Sequence, residues 1–264
     1  MAKSHVESRT RTLLVAFLVC AVCSVIVSST SVFLEPRQRA NRERDREEKI
    51  LRIVHGHEGL ADLLSGLSGV TLAAHVVDLA TGDSADHLDP VSFDPRRAAI
   101  DPLLGIALPD NRDPAGIGHR SRFSVVYQVE SERRIILVVL PVHGSGYAST
   151  MYGYLALGGD LNTVAGLTFF EHGETPGLGG EIEDPDWLES WIGKRVFDEA
   201  GKVRIEIVPD VVDLSSSDSI YQVDGLTGAT RTCDGVTALL RYWLSDDGFG
   251  PYLERVRKSN EEMP

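Results

Sequence analysis

Hydrophobic and polar positions follow three different patterns along this chain. Residues Leu13 to Leu34 (LLVAFLVCAVCSVIVSSTSVFL) form an uncharged run of 22 residues. As a helix rising about 1.5 Å per residue, such a run would cover a hydrocarbon core of ~30 Å. This predicts a membrane-spanning helix over 13–34, preceded by a short tail, residues 1–12. A cleaved signal peptide is the competing reading, because Lys3, Arg9 and Arg11 precede the run and small residues surround Ser28 to Ser31. The apolar run resumes at Val32, Phe33 and Leu34 before Glu35, Pro36 and Arg37, which favours an anchor that stays. Arg37 to Ile53 is then dense in Arg and Glu, and a helical stalk is expected over 35–69.

The second pattern is β-rich. Val70 to Leu79 is a β-branched run that stops at the turn signal Ala80-Thr81-Gly82-Asp83. Phe123 to Val129 and Arg134 to Val142, joined by Glu130-Ser131-Glu132-Arg133, read as an antiparallel hairpin. Met151 to Leu157 and Thr163 to Phe170, separated by Gly158 to Asn162, read as another. Residues 84–120 are rich in Asp, Pro and Arg without clear periodicity, so loops and short helices are expected there. The third pattern is helical. Pro185 to Ile192 predicts a short amphipathic helix. From Asp234 onward Val236, Leu239, Leu240, Trp243 and Leu244 share one stripe, with Gly248 just past its end. Strands followed by helices without regular alternation predict an α+β head over 70–264, a mixed, mainly antiparallel sheet with flanking helices.

Charge separates the same two parts. Of 26 Lys/Arg and 39 Asp/Glu, ten and six fall within residues 1–54, leaving 16 basic and 33 acidic side chains in 55–264. Phosphates would repel a head so acidic, which argues against nucleic acid as a partner. Cys20 and Cys23 lie in the apolar run, so Cys233 stands alone in the head and no disulfide can form within it. The C-x-x-C spacing in the apolar run lacks the polar setting that stabilises thiolate, and reads as small residues on one helix face. No P-loop, no GxGxxG after a strand and no zinc-ligand cluster occurs.

The segment Asp224-Gly225-Leu226-Thr227-Gly228-Ala229-Thr230 precedes the last predicted helix. Hydroxyls and flexible backbone at a helix N-terminus suit a phosphate group, since unpaired N–H groups and the helix dipole favour negative charge there. The same residues would equally serve as an ordinary helix entry, with Thr227 or Thr230 as N-cap.

DGLTGAT resembles the flavinylation motif, an Asp followed by Ser/Thr-Gly-Ala-Thr whose last Thr receives FMN from a flavin transferase that uses FAD as donor. Here that Thr is Thr230, with Asp224 at the acidic position and Thr227, Gly228 and Ala229 between. RANRERD, LPVHGSGYASTMYGY, GLTFFEHGETPGLGGE, WIGKRVFDE and GFGPYLERVR extend the likeness along the chain. Together they resemble the C subunit of the sodium-translocating NADH:quinone oxidoreductase (Na+-NQR). The resemblance implies a bacterial inner-membrane protein with one spanning helix and a periplasmic head. It also implies covalent FMN passing single electrons within a complex of six subunits that couples NADH oxidation by ubiquinone to sodium export. Glu174, Thr175, Gly177 and Leu178, in the loop 174–179, would lie against the flavin, where glycines let backbone approach a planar ring. The plainer reading of that loop is a turn with Glu171, Glu174 and Glu181 solvated.

Other candidates carry less. His143 reads as a structural histidine at a strand end, because a one-electron carrier needs no general base. Trp187 and Trp191 read as core, and Asp83, Asp86 and Asp89 near His87 as a solvated turn without a calcium-loop pattern. Three Lys/Arg precede the apolar run and seven follow within 35–54, which by charge alone would hold the head in the cytoplasm, opposite to the family's orientation. Competing functions are the G subunit of an Rnf-type electron-transport complex, a non-redox assembly subunit, and a free-standing flavoprotein reductase.

Overall fold

The computed structural model describes residues 13–21, 23–24, 71–131 and 134–262. The chain divides into two compact units, residues 1–51 and 52–264. In the first, residues 13–21 and 23–24 are helical with exposed side chains. Among the described residues no helix is long and apolar enough to cross a membrane. The rest of the expected 13–34 helix and the 35–69 stalk lie outside the described residues.

The second unit is built on five strands: β1 (Thr71–Asp78), β4 (Phe123–Ser131), β5 (Arg134–Ser145), β6 (Thr150–Gly158) and β7 (Val164–Glu171). They form one sheet in the order β1-β4-β5-β6-β7, every neighbouring pair antiparallel. Successive side chains on a strand face opposite sides, yet Leu137, Val138, Val139 and Leu140 are all fully buried, so both faces of β5 are covered. On one face Val138, Leu140, Val142, Leu155 and Leu157 join the main core with helix α3 (Thr230–Trp243). On the other, Val76 and Val125 pack with Ala85 and Phe123. Val236, Leu239 and Leu240 of α3 are wholly buried, each contributing roughly 1.5–3 kcal/mol. This apolar stripe is what fixes α3, and hence its N-terminus, against the sheet.

Both expected hairpins are present, and the first extends its β4 strand through Ser131, past the predicted end at Val129. Residues 84–120 hold helix α1 (Pro95–Ala99), a 3-10 turn and the small antiparallel pair β2 (Gly105–Ala107) and β3 (His119–Ser121). The predicted amphipathic segment forms α2 (Pro185–Glu189), capped by the Asp184 carboxylate, which accepts from Trp187 N–H at 3.0 Å. The pair β2 and β3, the parallel pair β8 (Glu206–Val208) and β9 (Gln222–Asp224), and helix α4 (Gly250–Glu262) go beyond what the sequence pattern predicts. Helix α3 begins four residues before the predicted Asp234.

Candidate functional site

Strand β9 ends on Asp224 and hands the chain to a turn that presents Thr230. Two neighbours hold the residue at its start. The Trp187 indole N–H donates to the Asp224 carbonyl at 2.9 Å, and the Val212 N–H donates to its carboxylate at 2.7 Å. Ala229 N–H then closes on Leu226 C=O at 3.0 Å, and Leu226 N–H rests on the buried Cys233 sulfur at 3.4 Å. Closing this tight turn needs a left-handed residue, and Gly228 supplies it at φ 75°. Burial pushes the Cys233 thiol pKa up, keeping it a neutral packing group rather than a nucleophile.

Ala229 occupies the N-cap of α3, and no side chain caps the helix. Neither Thr227 nor Thr230 fills the capping role considered for them. Both are exposed, and Thr230 stands at the first helical position. The helix start therefore combines an exposed hydroxyl with first-turn N–H groups that no side chain satisfies, an arrangement that favours an anion.

The loop 174–180 lies against this helix start. Glu174 is 5% exposed, so it is not the solvated glutamate of the plainer reading. One carboxylate oxygen accepts from Ala148 N–H at 2.8 Å and Ser149 N–H at 3.3 Å, and the other from the buried Thr232 hydroxyl. Burial alone would raise its pKa. The hydrogen bonds from Thr232 and from the backbone of residues 147–149 outweigh that and hold it below the usual carboxylate range. Side chains cannot be accommodated on either flank. A Cβ on Gly146 would lie 2.5 Å from one oxygen, and a Cβ on Gly179 2.7 Å from the other. Further along, Thr175 C=O accepts from Leu178 N–H at 3.1 Å and Gly180 N–H at 2.9 Å, and Gly177 N–H donates to Glu181 at 3.0 Å. Leu178 is 45% exposed, with a methyl 3.1 Å from where a Gly228 Cβ would sit.

The sequence-derived residues thus converge: Asp224 and Thr227 to Thr230 form the turn, Glu174 reaches α3 through Thr232, and Leu178 reaches Gly228. Thr175 and Gly177 shape the loop between these contacts. Thr232, Val212 and the 146–149 turn complete the site, and of these only the turn carries a sequence signal, the glycines of GSGYAS. Arg231 lies 5.6 Å from the exposed Tyr147 ring, beside Thr230.

His143 takes no part. It stacks on Tyr152 and meets Trp243 at 4.8 Å, while Trp243 N–H donates to its carbonyl at 2.6 Å. Trp243 ends α3, about 20 Å along the helix from Thr230. Burial, with help from Arg96, lowers the imidazole pKa to about 4 and keeps it neutral. Trp187 and Trp191 pack edge to face in the core at 5.4 Å. Among the described residues no group of three His, Cys, Asp or Glu could hold a metal ion.

Residues 146–245 match the family model described as an FMN-binding domain. Over 254 residues the chain is 47% identical to the C subunit of the Na(+)-translocating NADH-quinone reductase of Pseudomonas aeruginosa, covering 96% of this chain and 97% of that one. This chain belongs to the family of C subunits of that reductase. The Vibrio vulnificus C subunit is 41% identical over 251 residues, 95% of this chain and 96% of that one. The crystal structure of Shewanella oneidensis NqrC shares the fold with a TM-score of 0.70 and 29% identity, covering 83% of this chain and 99% of that one. The C subunit from Parabacteroides distasonis, 24% identical with a TM-score of 0.60, shares the fold. The interval matched by the domain model opens at Gly146, beside Glu174, and closes just past α3. It spans every part of the site built above.

Proposed function

We propose that this chain is the FMN-carrying electron-transfer C subunit of a Na+-translocating NADH:ubiquinone reductase, with the FMN phosphate esterified to Thr230. The observation that carries the attachment site is the exposed, uncapped Thr230 hydroxyl at the start of α3, in a chain whose relatives are C subunits and whose head matches an FMN-binding domain. These identities favour the C subunit over the G subunit of an Rnf-type complex.

The residues present fit the group. An anionic phosphodiester on Thr230 would face first-turn N–H groups and the positive end of the α3 dipole. The space around Gly177 is open, with no heavy atom within 4 Å of where its Cβ would be, so the 174–178 loop offers room and backbone to a ring. When bound, FMN supplies a carrier that accepts and releases electrons. Thr230 tethers it, while Glu174, Thr175, Gly177 and Leu178 orient it, because a flexible ribityl tether fixes place but not direction. In maturation by a flavin transferase using FAD, the Thr230 oxygen forms the new P–O bond. The P–O bond to AMP breaks, AMP leaves, and the hydroxyl proton is lost. Residues 1–12 would remain cytoplasmic, 13–34 would cross the inner membrane as its single span, 35–69 would form the stalk, and 70–264 the periplasmic domain within a complex of six subunits.

Thr230→Val tests the attachment. It should abolish the FMN mass and the in-gel flavin fluorescence that survives denaturation. Stability should change by no more than ~0.5 kcal/mol, because an exposed side chain that caps nothing is removed. Covalent flavin persisting in Thr230→Val refutes the assignment.

A further inference from the structure

Three charged side chains of the head are buried among the described residues. Asp78 is paired with Arg122, and the Arg120 guanidinium donates to the Tyr242 hydroxyl and the Ser121 carbonyl. Glu174 differs from Asp78. Among the described residues it makes no ion pair, and its hydrogen bonds come from uncharged donors, the Thr232 hydroxyl and backbone N–H groups of the 147–149 turn.

The bonding pattern does not require a charge. A glutamine in the same pose could accept from Ala148 and Ser149 N–H through its amide oxygen and donate to the Thr232 hydroxyl oxygen through its NH2, with the Thr232 proton turned to another acceptor. Burying a carboxylate as the ion costs several kcal/mol even after relaxation. Here the hydrogen bonds offset that cost and keep the group ionised at neutral pH. What glutamate adds is a fixed negative charge. It sits where the loop meets α3, hydrogen-bonded to a residue only two positions after Thr230, about 3 Å along the helix axis.

We propose that Glu174 is present for its charge, and that this charge lowers the reduction potential of the flavin tethered at Thr230. The inference rests on the Thr230 reading. Adding an electron to a group beside an unpaired, desolvated negative charge is disfavoured, and low local dielectric extends the reach of that charge. Glu174 thereby acts on the equilibrium of electron transfer as well as on the geometry of the seat.

The test uses the full-length chain loaded with FMN in the cell, comparing wild type, Glu174→Gln and Thr232→Val. Intact mass reports occupancy, and a spectroelectrochemical titration reports the midpoint. Glu174→Gln should load fully and shift the midpoint positive, by roughly tenfold in the one-electron equilibrium, ~59 mV. Thr232→Val keeps the charge but removes a hydrogen bond that disperses it, so its midpoint should move the opposite way and by less. Full occupancy with an unchanged midpoint in Glu174→Gln overturns the proposal. So does loss of loading in a folded Glu174→Gln chain, which would make Glu174 a determinant of attachment instead. Should Glu174→Gln fail to fold, Thr232→Val decides alone, and a midpoint equal to wild type overturns the proposal. A wild-type chain without flavin on Thr230 would instead refute the underlying function.

Discussion

Gly228→Ala probes the turn that presents Thr230, and the size of its effect follows from two observations. Gly228 sits at φ 75°, where an L-residue brings its Cβ against the following carbonyl oxygen at a cost of roughly 1–2 kcal/mol. The added methyl would also lie 3.1 Å from a Leu178 methyl, but Leu178 is 45% exposed and can turn toward solvent, so this contact adds little. The total is therefore about 1–2 kcal/mol. For a head of this size each kcal/mol lowers Tm by about 2–4 °C, which places the variant ~2–8 °C below wild type. Asparagine tolerates the left-handed region better than alanine, so stability should rank Gly, Asn, Ala. A ranking by helix propensity would put Ala first.

Thermal unfolding of the full-length chain followed by circular dichroism reads this order, with Thr227→Ala as control. The Thr227 side chain is exposed and its loss should move stability by no more than ~0.5 kcal/mol. Intact mass on the same samples should show lower FMN occupancy in Gly228→Ala, because relaxing the strained turn displaces the Thr230 hydroxyl. A Gly228→Ala chain as stable as wild type and fully loaded would refute the argument that a left-handed Gly228 shapes the acceptor turn.

Gly177→Val meets no atoms at its new Cβ, but φ 77° disfavours a β-branched residue, so the loop should shift; mass spectrometry should show full attachment while NADH-to-quinone turnover in the assembled complex falls. Unchanged turnover would mean that this loop does not orient the ring. A reporter active only after export, fused after Pro264, should be active; activity of a cytoplasm-only reporter would place the head on the wrong side for the proposed role. His143 is depressed from its ordinary 6.5 to about 4, so the stability it contributes is present above pH 6.5 and is lost as pH falls toward 4, up to ~3 kcal/mol. Urea melts between pH 4 and 7 should show His143→Gln flattening that slope, and an unchanged slope would refute the burial argument.

The sheet was legible because its strands are β-branched runs bounded by Gly, Asp and Asn, and each run spans several alternations. The elements that escaped carry weak signals. Strands β8 and β9 have three residues each, too short for period-2 alternation to stand out. Helix α4 buries Tyr252, Leu253 and Val256 within a sequence otherwise rich in charge, so its stripe is thin. The start of α3 lies earlier than its apolar stripe indicates because Thr230, Thr232 and Cys233 are indifferent helix formers. Burial of Thr232 and Cys233 against the loop and the acceptor turn decides the matter instead.

At the site, residue types and order were readable while desolvation was not. Glu171, Glu174 and Glu181 look alike in EHGETPGLGGE, yet Glu171 is exposed and pairs with Arg96 at 2.8 Å, and Glu181 is exposed beneath Gly177 N–H. Only Glu174 is buried, because Gly146 and Gly179 let two separate segments close over it and Thr232 supplies a donor from a third. That three-way meeting cannot be inferred from spacing along the chain. Asp224 carries the complementary lesson. One oxygen of its carboxylate accepts from Val212 N–H, and its carbonyl accepts from Trp187. These contacts fix where the turn begins, Gly228 fixes how it bends, and Thr230 is left exposed at the point where both constraints end. The acidic residue of the motif therefore acts on the shape of the turn that carries Thr230.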